Sequence, residues 1–463
     1  MRKCLLVIFI IGLAMNILGL IWPIGQDEGV FLAVAKQINH GFLPYRDIFD
    51  HKPPGLYYFL SIFTNFTNSP VTIRLLFLLI NLLTCYMIYR IGRNRFSEAH
   101  GLLAAGLYLL ILPLYEGHLI LTEPLMSFFL VIGLYLYLLF LETKKNVMIF
   151  LVGASVGLAM LCKQPALINF VTILLLLITM KKWGNLKYLI FLMGGLVAVW
   201  LPWVGYYQYM HQFGGFWQQV IELNLTSYPS LDDTENVKRL ALSVAQSSIV
   251  WFMTFGGLVG FVLAIWKKKY PSLENIAILT MAFIPIPILF YRQYPHYWLQ
   301  VLPFICLVAV SFYHKTRFKY FLNILIIACG FLSLLNFVYT TLAIKVPQRN
   351  EQLEISEKVR NGTLITDKVY SNRVFTGLYF LADRLPVSRY LYVSEINENS
   401  KAQDSIIKSI KINKPKFIVW LPKNKQYKDS YTKAIGEQIS IYYRPVARYP
   451  NTGLTLYRVS EQQ

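Results

Sequence analysis

Asp27 and Glu28 stand side by side directly after an apolar run, and Asp50, His51 and Lys52 follow just ahead of Pro53-Pro54-Gly55. Carboxylates and cations therefore share one stretch, residues 25–59. A carboxylate can take the proton from an attacking hydroxyl. Cations can neutralise the charge that develops on a departing phosphate. A phosphate leaves as a stable anion, so no protonating acid is required, and attack from the opposite side inverts the reacting carbon. The set is sufficient for moving a glycosyl group from a phosphate to a hydroxyl.

Each of these residues also has an ordinary use. Asp is a common cap in front of a helical run, and Glu in a first turn complements the helix dipole. The run 30–38 has apolar residues at helical spacing, which predicts a helix lying along a membrane surface. Pro53 and Pro54 fix the backbone and hold His51 and Lys52 extended. Asp50 and His51 are read as supporting polar residues, and Lys52 as a contact to phosphate or sugar. Further along, Glu123 opens an apolar run, Lys163 sits in a short turn before Gln164-Pro165, and Arg292 and His296 flank Tyr294-Pro295. Glu123 reads as a supporting residue of the same chemistry. Lys163, Arg292 and His296 read as further phosphate or sugar contacts, although Lys163 could simply snorkel and His296 could anchor an aromatic belt with Tyr297 and Trp298.

The elements that must carry these groups are membrane helices. The chain has 463 residues, 56% hydrophobic and 15% charged, against about a quarter charged in soluble proteins. Its apolar residues fall in blocks at 4–24, 71–89, 102–115, 125–141, 147–161, 167–180, 188–203, 244–266, 276–290, 297–313 and 320–343. Since a crossing needs roughly 20 residues, about eleven helices are expected, with nine to thirteen as the range. The N-terminal run lacks a small-residue cleavage site and reads as the first of them. The net charge of +20 is mostly topology rather than a nucleic-acid footprint. Arg90, Arg93 and Arg95, Lys144 and Lys145, Lys181, Lys182 and Lys187, Lys267 to Lys269, and Lys315, Arg317 and Lys319 mark alternate loops as cytoplasmic. The N-terminus is then cytoplasmic, and loops 25–70, 116–124, the turn around Lys163, 205–243 and 291–296 face outward together with everything after Lys345.

Residues 345–463 differ in composition, and strand-like pieces at 416–421 and 454–459 alternate with a helical one at 403–412. The fold expected is a polytopic α-helical membrane domain, 1–344, with interfacial helices in its first external loop, followed by a small external α/β domain. The five cysteines lie in or beside apolar blocks without metal or disulfide spacing.

Several short motifs resemble the GT-C glycosyltransferases, especially the protein O-mannosyltransferase and aminoarabinose-lipid A transferase branch. They are the Asp27-Glu28 pair, Lys52-Pro53-Pro54-Gly55, Leu121-Thr122-Glu123-Pro124, the run from Gly157 to Lys163, Pro295-His296-Tyr297-Trp298, and Ala382-Asp383-Arg384-Leu385-Pro386 with Tyr390. The resemblance implies a polyprenyl-phosphate sugar as donor and a catalytic carboxylate in the first external loop, which maps to Asp27 with Glu28 as its substitute. It leaves the acceptor open among protein, lipid and cell-wall glycan. No cofactor is required by this chemistry, no protein metal site is expected, and a divalent cation remains an option. A lipid or small-solute transporter is the competing reading. It predicts charges near the bilayer midplane, whereas these gather at external helix ends.

Overall fold

The computed structural model describes residues 2–179, 186–226, 234–266, 272–292, 294–315, 317–392, 400–421 and 429–460. The protein is predominantly helical, with one small sheet near the C-terminus. Its contacts divide it into two compact units. The first comprises Met1–Leu20, Arg74–Tyr206 and Ser230–Val338; the second comprises Ile21–Ile73, Tyr207–Pro229 and Tyr339–Gln463. The tail expected from residue 345 is thus grouped with the whole of the loop 25–70.

In the first unit, apolar helices dominate. Across the chain, among the described residues, five helices are long and apolar enough to cross a membrane: Pro70–Arg95, Glu98–Tyr115, Thr122–Thr143, Leu186–Tyr209 and Lys319–Asn361. A sixth arises if Val237–Gln246 and Ser248–Leu263, bent by 75°, count as one span. Six further apolar helices run 10–17 residues, Lys3–Gly19 and Asn146–Cys162 among them. The protein is a multi-pass membrane protein. Leu75, Leu79 and Leu83 are exposed at helical spacing, as are Leu186, Ile190, Val197 and Leu201. Such stripes need lipid rather than water beside them.

Small residues let these helices close on each other. A side chain at Gly153 would run into the Leu192 carbonyl, and one at Gly195 would run into the Phe150 carbonyl. The helices Asn146–Cys162 and Leu186–Tyr209 therefore pack backbone to backbone, as membrane helices do where hydrophobicity cannot drive association. Arg93 and Arg95 occupy the last turn of Pro70–Arg95, and Lys144 ends Thr122–Thr143 in a left-handed conformation. Of the other basic loop residues, Lys181, Lys182 and Lys267 to Lys269 lie outside the described residues, as does the side chain of Lys315.

In the second unit, five strands form one sheet: β1 (Lys368–Ser371), β2 (Leu385–Pro386), β3 (Phe417–Trp420), β4 (Tyr443–Arg448) and β5 (Thr455–Val459), in the order β2-β1-β3-β5-β4. The pairs β1–β2 and β1–β3 are parallel, while β3–β5 and β5–β4 are antiparallel. The helices Ser400–Asn413 and Asp429–Tyr442 supply Ile406, Ile410, Ile435 and Ile439 to a core with Tyr370, Ile418 and Trp420. The strands and helix expected at 416–421, 454–459 and 403–412 are all present, within a residue or a few at their ends. The helix expected over 30–38 is Gln26–Asn39. Its residues 28–37 are all buried, so protein rather than a lipid surface covers its apolar face.

Candidate functional site

The second unit positions the Asp27 helix from both ends. Ahead of it, the Ile24 N–H donates to Gln352 Oε1 (2.8 Å) and Gln352 Nε2 donates back to the Ile24 carbonyl (3.0 Å). The Gly25 N–H donates to Glu28 Oε2 at 3.1 Å, and Glu28 is fully buried. Glu28 thus caps its own helix. A side chain at Gly29 would collide with Gly377 N and Thr376 Oγ1, so the helix lies directly on that backbone. Thr376 Oγ1 donates to the Gln26 carbonyl at 3.1 Å. At the far end, Gly41 (φ 85°) and the bond from Phe42 N–H to the Gln37 carbonyl stop the helix.

The Ala382–Pro386 motif holds the same helix. Asp383 receives Lys36 Nζ at 3.2 Å and His40 Nε2 at 2.8 Å. Burial works to raise the Asp383 carboxyl, but the His40 hydrogen bond and the Lys36 charge outweigh it and hold the group below its usual range. The Arg384 guanidinium donates to Thr363 Oγ1 and to the carbonyls of Ala382, Asp383, Arg360 and Thr363 at 2.7–3.0 Å. Sequence alone assigned this motif no task, and its task is positional.

Asp27 itself is half-buried in the first turn of this helix. Phe31 lies four residues on, hence on the same helix face, and the Lys52 ammonium stands 4.7 Å above its ring. Asp50, 1% exposed, is held differently. Its Oδ1 accepts the His51 and Lys52 N–H groups (2.7 and 3.1 Å), and its Oδ2 accepts the Tyr392 hydroxyl (3.2 Å). His51 Nδ1 lies 3.5 Å from that hydroxyl, and Asn224 Nδ2 donates to the His51 carbonyl. Tyr45, in a left-handed conformation (φ 71°), donates its hydroxyl to the Lys52 carbonyl at 2.7 Å. Burial and then the Asp50 charge push the Tyr45 and Tyr57 hydroxyls well above their usual range, which keeps both protonated.

The first unit contains a second cluster. Glu123, 2% exposed in the first turn of Thr122–Thr143, forms an ion pair with Lys163 and accepts the Thr122 hydroxyl at 2.9 Å. His296 Nε2 is 3.9 Å from the same carboxylate, and its Nδ1 is 2.7 Å from Glu116 Oε2. Glu116, in a left-handed conformation (φ 63°), also pairs with Arg239. The Lys163 ammonium lies 3.2 Å from the centre of the Tyr297 ring. Of the expected residues, the structure thus brings Glu123, Lys163 and His296 together in one unit, and Asp50, His51 and Lys52 in the other. Arg292 ends the helix Ile286–Arg292, and its side chain lies outside the described residues. Glu116, Arg239 and Tyr392 were not anticipated. Glu116 carried the one available signal, a lone carboxylate closing an apolar block. Among the described residues, no group of three or more His, Cys, Asp or Glu is arranged to hold a metal ion.

Residues 51–206 match the dolichyl-phosphate-mannose-protein mannosyltransferase family model. That segment contains Lys52, Glu123 and Lys163, while Asp27 and His296 lie outside it. The whole chain superposes on ArnT from Cupriavidus metallidurans bound to undecaprenyl phosphate, with a TM-score of 0.69 at 13% identity, covering 100% of this chain and 98% of that one. It is also similar to the oligosaccharyltransferase AglB from Archaeoglobus fulgidus in complex with an inhibitory peptide and a dolichol-phosphate. There the TM-score is 0.55 at 14% identity, over 99% of this chain and 74% of the other. No curated protein sequence gives a significant match. The resemblance to GT-C glycosyltransferases read from the short motifs is borne out in the fold.

Proposed function

We propose that this membrane protein is an inverting glycosyltransferase that moves a hexose or pentose from a polyprenyl-phosphate donor to an acceptor hydroxyl at the outer membrane face. The observation that carries the reading is the placement of Asp27: half-exposed, in the first turn of a rigidly held helix, with the Lys52 ammonium over the ring of Phe31, one turn further along that helix. The Asp27 carboxylate takes the proton of the acceptor hydroxyl. The resulting oxygen attacks the anomeric carbon as the bond from that carbon to the phosphate oxygen breaks. The bonding pair leaves with the polyprenyl phosphate, and the configuration inverts.

Lys52 and, in the other unit, Lys163 and His296 are assigned to the donor phosphate or sugar, with Arg292 as a further contact. Glu123 is assigned to holding Lys163, and Asp50 to holding the backbone of His51 and Lys52. Two solved proteins of this fold, described as bound to undecaprenyl phosphate or to a dolichol-phosphate, support the donor class. The reaction balances with side-chain cations alone, and the rate after dialysis against a chelator tests whether a divalent ion contributes. About eleven crossings, a cytoplasmic N-terminus and an external domain at 345–463 complete the reading, and cysteine labelling from each side tests that topology.

The decisive assay uses purified protein and a panel of polyprenyl-phosphate sugars. Turnover that disappears in Asp27→Asn while the protein stays folded supports transfer. Substrate flux across vesicles without bond cleavage would sink it in favour of a transporter.

A further inference from the structure

The second unit contains a cavity of about 540 Å³ to which none of the preceding chemistry refers. Its walls include Thr67, Asn68 and Ser69 on one side and Arg349, Glu357 and Arg360 on the other. Arg349, Leu353, Ser356 and Arg360 recur at intervals of four, three and four along Val346–Asn361, so one stripe of that helix faces the cavity. The lining thus carries two arginines, Arg349 and Arg360, and, among the described residues, one acid, Glu357. One Nη of Arg360 donates to the Leu381 carbonyl, which fixes its guanidinium plane at the wall. Opposite, Ser69 Oγ accepts the Thr72 N–H at the start of Pro70–Arg95.

The surroundings are apolar on one side. Phe66, 82% exposed, and Ile62, 59% exposed, immediately precede the Thr67–Ser69 wall in sequence. On the other wall the helix is the continuation of the apolar span Lys319–Asn361, with Leu342 and Ile344 exposed. At 1.5 Å per residue, Arg349 stands roughly 7.5 Å beyond Ile344 along the helix. A cavity of this size holds a headgroup with its ester substituents, since ligand sites commonly run to several hundred Å³.

We infer that this cavity binds the phosphate-bearing headgroup of an anionic lipid, with Arg349 and Arg360 on the phosphate, Thr67 to Ser69 on its polar substituent, and the acyl chains along Ile62 and Phe66. Guanidinium groups suit phosphate because their planar donors pair with two oxygens at once. The apolar rim selects a lipid over a soluble phosphate ester of the same chemistry.

The test uses the full chain in nanodiscs of phosphatidylcholine doped with phosphatidic acid, with native mass spectrometry to count retained phosphatidic acid. The wild type is expected to retain it in preference to phosphatidylcholine. Arg349→Gln is expected to weaken retention about tenfold, the loss of one charge-assisted contact, and Arg349→Lys to recover part of it. Ser69→Asp keeps a helix-capping oxygen while adding repulsion, so its expected loss of about the same size does not depend on misfolding. Undiminished retention in both Arg349→Gln and Ser69→Asp, or equal retention of the two lipids by the wild type, overturns the site. Displacement by inorganic phosphate alone, without lipid preference, overturns the lipid assignment in favour of a soluble ester. Sugar transfer is not the readout, so failure here and failure of the transfer reading are distinguishable.

Discussion

The two charged clusters are built on opposite plans. In the first unit each carboxylate faces cations: Glu123 meets Lys163 and His296, while Glu116 meets His296 and Arg239. In the second unit three carboxylates of the loop 25–70 are held in different ways. Asp50 accepts two backbone N–H groups and the Tyr392 hydroxyl, Glu28 caps its helix at Gly25, and Asp27 is half-exposed. A buried carboxylate tied to a cation is a poor proton acceptor, because neutralising it strands its partner. A carboxylate at the mouth of a fixed helix is a good one. The cluster of the first unit holds charge in place, and under the proposed function the half-exposed Asp27 is the carboxylate assigned to proton chemistry.

The largest effect should separate these roles. Asp27→Asn removes the proton acceptor and is expected to lower transfer by about 10²–10⁴-fold, with unchanged melting. Asp50→Asn is expected to act mainly on stability, since its oxygens serve N–H groups and a hydroxyl that an amide can only half satisfy. If the two variants lost equal activity at equal stability, the division of labour would fail.

Next in size is the Lys163–Glu123 pair. Removing one partner of a buried ion pair leaves the other uncompensated, a cost of about 3–5 kcal/mol. Lys163→Met and Glu123→Gln should each lower the melting temperature sharply, and the double variant should recover much of the loss. Additive losses in that cycle would mean that the two side chains do not support each other.

What the sequence alone conveyed follows from the range of each signal. Apolar blocks, the alternation at 416–421 and the run 30–38 are local patterns, and they identify the membrane helices, β3 and the Asp27 helix without reference to anything distant. The pairing of Glu116 with Arg239 joins residues far apart in the chain, and no spacing rule links them. Glu28 shows the complementary ambiguity: catalysis and capping ask for the same residue at the same place, and only the Gly25 N–H to Glu28 bond reveals the capping role. The motif at Ala382–Pro386 was visible as a string of letters, but its meaning depends on Lys36, His40 and Thr363.

The smallest prediction uses that motif as a control, because Asp383 is a carboxylate of the second unit that is nevertheless balanced. If Asp383 serves to hold its helix, Asp383→Asn should cost about 1 kcal/mol of stability and leave transfer within about twofold, whereas Asp27→Asn in the same unit should act on transfer. Its pH dependence has a fixed sign. The folded carboxyl is held below its ordinary value of 3.8 by His40 and Lys36 against the opposing pull of burial. The Asp383 contribution is therefore fully present above the unfolded value and is lost as pH falls through the lower folded one. Melting of wild type and Asp383→Asn should converge in that acid window and stay separated at neutral pH. A constant gap across the whole range would show that the Lys36 and His40 contacts are not charge-dependent, and Asp383 would no longer serve as the charge-paired control.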